Sequence, residues 1–181
     1  MKKIILVFLL VCMGAINNGC SSKLDEDYVN GQVVKLDECF MEARDTVNFI
    51  YDYICGDDTD LIGQSNTLLE LENKLKEIPM EDIEKFYKNE KNDEECNRIK
   101  LSYLWTKRRI SCAKEILKMY DDDNKFSDEE FLRASDLCLA ANMFEGMPSK
   151  IERTQKQVDE KYNLSTEEIY KLYEELYIWE E

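Results

Sequence analysis

The chain contains no histidine among its 181 residues. This absence excludes Ser-His and Cys-His nucleophile pairs, His-ligated zinc and the usual proton shuttle at neutral pH. Proline and glycine are scarce, with two and six residues, and no segment shows the alternating apolar pattern of a half-buried strand. The sequence therefore predicts an all-α protein that is not an enzyme and needs no cofactor.

Basic residues are few relative to acidic ones. The chain has 24 Lys and Arg against 39 Asp and Glu, a net charge of −15. Such a chain repels nucleic acid and attracts cationic partners over a distance. With 44% hydrophobic residues it can still bury a core, and its length fits one domain.

The N-terminus has the parts of a secretory signal peptide. Lys2 and Lys3 precede an apolar stretch over residues 4–16, and small residues lead up to Cys20. The apolar stretch is too short to span a membrane, which takes about 20 residues. We therefore expect residues 1–19 to be removed, which leaves 22 basic and 39 acidic residues and a net charge of −17.

The segment Gly19-Cys20-Ser21-Ser22 resembles the cleavage site of bacterial lipoproteins, in which the cysteine becomes the lipidated first residue. This resemblance implies a membrane anchor at Cys20, firm if two or more acyl chains are attached. The acidic run that follows, Lys23–Asp27, is similar to a surface-export signal of lipoproteins, and a solvated tether is the alternative. The expected location is the cell envelope, at the outer membrane or the cell surface.

Apolar residues recur every three or four positions along two long segments, 34–55 and 93–120, which predicts two amphipathic helices. Residues 20–33 are predicted to be a flexible tether and residues 34–181 a single helical domain.

Capping boxes mark several shorter helices, because a Ser or Thr is followed three residues later by Glu. The four candidate boxes are Thr67…Glu70, Ser127…Glu130, Ser149…Glu152 and Ser165…Glu168. We predict helices near 67–77, 80–89, 127–144, 149–161 and 165–179.

Five cysteines remain after Cys12 and Cys20 are set aside, and an oxidising compartment favours disulfides between them. In an antiparallel helix pair, opposed residues have a constant sum of residue numbers. Cys39 with Cys112 and Cys55 with Cys96 give the same sum. We therefore predict a helical bundle stapled by these two disulfides on a long antiparallel hairpin, with Cys138 left over.

Trp105, Arg109 and Cys112 have the spacing Trp-x3-Arg-x2-Cys, and an Ile-Cys-x-Asp segment begins at Ile54. Together they resemble the LprI-type lysozyme-inhibitor family, over residues 39–120 at most. The resemblance implies binding of a cationic muramidase, with Trp105 and Arg109 in the binding site. The alternative is a buried Trp105 and an Arg109 paired with local carboxylates.

The sequence also contains a candidate calcium loop, with Asp121 and Asp123 as oxygen ligands and Glu130 as the closing ligand. The alternative is an acidic loop that ends in a capping box. The basic run Lys107-Arg108-Arg109 is expected to form ion pairs within the protein, each contributing little where exposed.

These features predict a non-enzymatic envelope lipoprotein that binds a protein partner, expected to be cationic. The alternatives are an LprI-like lysozyme inhibitor and a structural subunit of an envelope assembly.

Overall fold

The computed structural model describes residues 25–56, 61–120, 126–142 and 148–177. Across these ranges the chain forms seven α-helices and no β-strand, so the prediction of an all-α fold is confirmed. The helices are α1 (Glu26–Cys55), α2 (Gln64–Lys76), α3 (Met80–Asn89), α4 (Asp93–Met119), α5 (Asp128–Asn142), α6 (Ser149–Lys161) and α7 (Thr166–Leu176). Apart from the start of α1, their bounds agree with the predicted ones to within three residues.

Helix α1 starts earlier than the apolar pattern indicated. The carboxylate of Asp25 accepts a hydrogen bond from the backbone N–H of Asp27 at 3.1 Å and caps the helix. Val29 and Val33 extend the apolar stripe, and both are buried. The prediction that residues 20–33 form a flexible tether is therefore wrong from the first residue of this helix onwards.

One of the predicted capping boxes forms in full, and a second forms only its hydroxyl bond. The Ser127 hydroxyl accepts a hydrogen bond from the backbone N–H of Glu130 at 3.3 Å, and the Glu130 carboxylate accepts one from the backbone N–H of Ser127 at 2.9 Å. The Ser165 hydroxyl accepts from the backbone N–H of Glu168 at 3.1 Å. These hydroxyl groups fix the starts of α5 and α7, as the sequence predicted.

The other two predicted capping boxes are wrong. Helix α2 already begins at Gln64, after Gly63 with a φ of 87°, so Thr67 lies inside the helix. Helix α6 is preceded by Pro148, and Ser149 is its first residue and not its cap. In both places a residue with special backbone geometry sets the helix start before the hydroxyl can do so.

Helix α4 lies at the centre of the fold and contacts every other described helix. Its middle segment, residues 106–113, is buried at every position except the half-buried Lys107. A helix surrounded in this way must find partners for its polar side chains, because an unpaired buried charge is strongly unfavourable. Two of those side chains are arginines, Arg108 and Arg109.

Helices α1 and α4 run parallel, so the predicted antiparallel hairpin is wrong. The ring of Phe40 packs edge-on against Trp105 with centroids 6.4 Å apart, and Tyr53 packs in the same way against Tyr120 at 5.6 Å. Residue numbers therefore rise together along the two helices, with an offset of about 65. Helices α2 and α3, between them in sequence, bring the chain back to the start of the pair.

The parallel register explains why the predicted disulfides do not form. Cys39, Cys55, Cys96, Cys112 and Cys138 are all free thiols. At this offset Cys55 and Cys96 are separated by about 35 Å along the helix axes, and Cys39 and Cys112 by about 12 Å. Both values exceed the Cα–Cα distance of about 7 Å that a disulfide can bridge. The stapled bundle is therefore a wrong prediction, and core packing holds these helices together.

Candidate functional site

Trp105 and Arg109, the two residues predicted to bind, lie one turn apart on α4 and meet at Phe40 of α1. The guanidinium carbon of Arg109 is 4.5 Å from the centroid of the Phe40 ring and 5.1 Å from that of Trp105. The two rings are nearly perpendicular, at 88°, so they cover different sides of the guanidinium. We call Phe40, Trp105 and Arg109 the arginine cluster.

The arginine cluster lies mostly inside the bundle. The Arg109 side chain belongs to a residue that is only 6% exposed. The indole N–H of Trp105 donates to the backbone carbonyl of Ala141 at 2.9 Å, which fixes the ring against α5. The structure therefore brings the two predicted residues together, but it does not present them as a broad contact surface for a folded protein.

Arg109 does not pair with a local carboxylate, contrary to the alternative drawn from the sequence. Its Nε and Nη1 atoms are buried, and no acceptor among the described residues bonds them. Asp45 lies nearby, but its Oδ1 already accepts from Nε and Nη2 of Arg44 at 3.1 and 3.0 Å. Burial, and then the proximity of Arg44, lower the pKa of Arg109 to about 10. Arg109 therefore stays positively charged at neutral pH.

The neighbouring Arg108 forms a buried ion pair. Its Nε and Nη2 donate to the two carboxylate oxygens of Asp159 on α6, at 3.0 and 2.5 Å. Both side chains are 0% exposed. The expectation of an ion pair within the basic run is thus confirmed for Arg108, although the pair is buried and not at the surface, and it is wrong for Arg109.

Neutral side chains add further hydrogen bonds around α6, and together with this ion pair we call them the polar network. The Thr166 hydroxyl donates to Asp159 at 2.7 Å. One turn earlier on α6, Gln155 donates to the carbonyl of Ala140 at 2.8 Å and accepts from the Tyr170 hydroxyl at 2.8 Å. The network joins α6 to α4, α5 and α7. Its role is structural, because it positions the last two described helices on the central one.

Two surface clefts flank α2. The first, of about 260 Å³, lies between α1 and α2, with Cys39 beside an ion pair of Lys74 with Glu42 at 2.9 Å. Burial raises the pKa of the Cys39 thiol, so it is not activated as a nucleophile. The second, of about 310 Å³, lies between α2 and α4 and includes Leu69 and Leu117. The first cleft therefore gives no support for catalysis by its thiol.

The candidate calcium loop is described only in part, because Asp121 and Asp123 lie outside the described residues. The carboxylate of Glu130 accepts from the backbone N–H and the hydroxyl of Ser127, at 2.9 and 2.6 Å. Glu130 therefore caps α5, which supports the alternative of an acidic loop that ends in a capping box. In the part of the chain that the structure describes, no group of three acidic or cysteine side chains is arranged to hold a metal ion.

Glu115 is the centre of a charged cluster where α4 meets the end of α6. Its carboxylate accepts hydrogen bonds from Lys161 at 2.6 Å, from the Tyr162 hydroxyl at 2.5 Å and from Lys118 at 3.0 Å. Burial would raise the pKa of Glu115, but these hydrogen bonds outweigh it and lower the pKa to about 2.

We expect Glu115 to make the fold sensitive to acid. A carboxyl whose folded pKa is lowered stabilises the protein above its unfolded pKa, near 4.5, and loses that contribution as the pH falls towards 2. Chemical unfolding of Glu115→Gln should therefore show lower stability than the unchanged protein at pH 7 and nearly equal stability at pH 2. Glu160→Gln, at an exposed position on α6, is the control. If Glu115→Gln were less stable than the unchanged protein by the same amount at pH 7 and at pH 2, the lowered pKa of Glu115 would be contradicted.

Comparison of the chain with protein-family models, with characterised proteins and with solved structures found no match. The predicted signal peptide, residues 1–19, and the lipidation site Cys20 lie outside the described residues. Among the helices that are described, none is both long and apolar enough to cross a membrane.

Proposed function

We propose that the chain is a cell-envelope lipoprotein that binds a cationic protein and catalyses no reaction. A signal peptide over residues 1–19 and lipidation at Cys20 would export the domain and attach it to a membrane. The absence of histidine from the sequence supports a binding role over the common hydrolytic mechanisms. The negative charge of the chain supports a cationic partner.

The observation that carries the proposal is that two acidic helix starts share one end of the bundle. Because α1 and α4 run parallel, their first turns are neighbours, with Glu26 on α1 and Asp93 and Glu94 on α4. After burial, the charges of Glu95 and Glu26 raise the pKa of Tyr87, which indicates that both helix starts lie near this one tyrosine. We call Glu26, Asp93 and Glu94 the acidic end.

Ion pairs within the protein leave a large excess of negative charge. Thirteen basic side chains of the described residues pair with eleven carboxylates. Acidic residues still exceed basic ones by 15 over the chain. Such a field accelerates the encounter with a cationic protein, and salt weakens it because screening acts over about 8 Å at physiological ionic strength.

The position of the anchor supports a protective role for the acidic end. Five residues separate Cys20 from Glu26, and this stretch can reach at most about 20 Å. A lipidated Cys20 would therefore hold the acidic end close to the membrane surface. Anionic headgroups attract basic proteins to that surface, and the acidic end would meet them there.

Binding of the mature chain to a cationic lysozyme and to cytochrome c tests the proposal. Replacing the three carboxylates of the acidic end by amides should weaken binding of the lysozyme by about tenfold, since each exposed charge pair contributes about 0.5 kcal/mol. The matched control replaces Asp52, Asp128 and Glu129, three exposed acids at the opposite end, where Tyr53 contacts Phe126. This control should weaken binding by less than about threefold.

Equal losses from the two triple variants would contradict a specific acidic end. If the chain binds the lysozyme and cytochrome c equally well, and salt abolishes binding to both, the interaction is nonspecific electrostatic attraction. Either outcome would favour the alternative of a structural subunit in an envelope assembly.

The lysozyme-inhibitor alternative adds a stricter requirement to the same assay. Lysozyme activity should then be lost at near-stoichiometric amounts of the chain. Because Trp105 and Arg109 are packed within the bundle, the contact would have to come from the acidic end. The variant with a neutralised acidic end should therefore also fail to inhibit.

A further inference from the structure

We propose that the arginine cluster is a binding site for a carboxylate group, with the guanidinium of Arg109 as its anchor. This goes beyond the proposed function, because the ligand is anionic and the cluster lies halfway along α1 and α4 and not at the acidic end.

The first argument is a missing acceptor. Nε and Nη1 of Arg109 are buried, and no acceptor among the described residues bonds them. A guanidinium keeps its charge at neutral pH and is built to donate hydrogen bonds in pairs. Burying a charge without a hydrogen-bonded partner costs several kcal/mol, whereas the contacts with Phe40 and Trp105 offset about 0.5–2 kcal/mol each. A carboxylate that accepts from Nε and Nη2 would supply the missing charge and satisfy one of the two buried groups, which reduces this imbalance.

The second argument is the contrast with the adjacent arginine. Arg108 is buried and donates hydrogen bonds to both carboxylate oxygens of Asp159. Arg109, one position along the same helix, is 6% exposed and has aromatic rings on two sides in place of a carboxylate. The ligand that matches Arg109 is therefore also a carboxylate. Another molecule would have to supply it.

The third argument is the local excess of positive charge. Arg44 lies close enough to Arg109 for its charge to lower the pKa of Arg109, after burial. The nearby acid, Asp45, is held by Arg44 through Oδ1. An anion bound at Arg109 would relieve the repulsion between the two guanidiniums. In a chain with a net charge of −15, a site with this polarity is unusual.

The shape of the site favours a carboxylate over a phosphate. The rings of Phe40 and Trp105 confine the guanidinium, and the residue is only 6% exposed, so a small and flat ligand is favoured. A planar carboxylate accepts two parallel N–H bonds from Nε and Nη2 of one guanidinium, as Asp159 does from Arg108. It carries a single charge, so the acidic surface repels it less than a doubly charged phosphate.

The test follows the Nε–Hε resonance of Arg109 by NMR while the mature chain is titrated with acetate, inorganic phosphate, or triglycine with a free or an amidated C-terminus. Acetate should shift this resonance saturably, and its dissociation constant should be lower than that of phosphate. Triglycine acid binding more tightly than acetate, with no binding of the amide, would identify a chain terminus as the source. Equal binding of acetate and triglycine acid would identify a small free carboxylate.

Three variants make the titration specific. Arg109→Lys keeps the charge but loses the paired donors, so acetate, followed in this variant and in the unchanged chain through the indole N–H resonance of Trp105, should bind at least about tenfold more weakly. Lys107→Gln removes a positive charge two residues away and should leave acetate binding unchanged. Asp45→Asn tests whether an internal carboxylate fills the site, and it should leave the Arg109 resonance nearly unmoved.

Several results would overturn the proposal. These are the absence of a saturable shift in the unchanged chain, tighter binding of phosphate than of acetate, or a shift in Asp45→Asn as large as that caused by acetate. The titration of the unchanged chain does not depend on whether any variant folds.

Discussion

We expect the Asp159→Asn variant to unfold with a free energy about 3–5 kcal/mol below that of the unchanged protein. Asparagine preserves the volume of the side chain and removes its charge. Arg108, which is 0% exposed and donates to both Asp159 oxygens, would then be a buried cation that faces a neutral amide in place of the Asp159 carboxylate. Thr166 would also lose the charged acceptor of its hydroxyl.

A second variant separates two free energies: the cost of burying the Arg108 charge without the Asp159 carboxylate, and the net stabilisation by the ion pair. Replacing Arg108 by Met, Asp159 by Leu and Thr166 by Val removes the charges and the hydroxyl that bonds to them. Buried ion pairs can often be exchanged for apolar residues at little cost, because desolvation of the charges cancels much of their attraction. We expect this triple variant to recover to within about 2 kcal/mol of the unchanged protein.

Urea unfolding followed by circular dichroism would measure both effects. The matched control is Lys156→Gln on the same helix, which breaks the ion pair of Lys156 with Glu152. The side chains of these two residues are 56% and 48% exposed. That loss should be below about 0.5 kcal/mol. A loss of less than about 1 kcal/mol in Asp159→Asn would mean that water reaches the Arg108 ion pair.

Helix positions could be predicted from the sequence because their signals are local. Apolar spacing defined α4, and the hydroxyl caps at Ser127 and Ser165 defined the starts of α5 and α7. How helices pack is a property of the whole chain. The constant-sum argument for the cysteines assumed that α1 and α4 are antiparallel neighbours. Two intervening helices, α2 and α3, instead return the chain and make the pair parallel.

The candidate site could be predicted only in part. The spacing of Trp105 and Arg109 on one helix places them one turn apart, and the structure confirms their contact. The role of Phe40 depends on the parallel register and had no local signal. Arg108 did have one, because the two arginines are followed by Ile110, Ser111, Cys112 and Ala113, a full helical turn without a charged residue. Such a run indicates a helix buried on all sides, where an arginine needs a partner.

The start of α1 can be tested with a buried charge. Val29 is 0% exposed and belongs to the main core, although the sequence pattern placed it in a flexible tether. Val29→Asp should lower the free energy of unfolding by about 3 kcal/mol, because the carboxylate must either be buried or unwind the first turns of α1. In a tether the same substitution would have no effect on stability.

The matched control for Val29→Asp is Asn30→Asp, which adds the same charge at the next, exposed position. Both variants place one more negative charge near Glu26, so their repulsion from the acidic end is similar. Asn30→Asp lies near the helix N-terminus, where a carboxylate is favoured by the helix dipole, and its stability should change by less than about 0.5 kcal/mol. The difference between the two variants therefore isolates the burial of position 29. Equal stability of the two in urea unfolding would show that this part of the chain does not pack on the bundle.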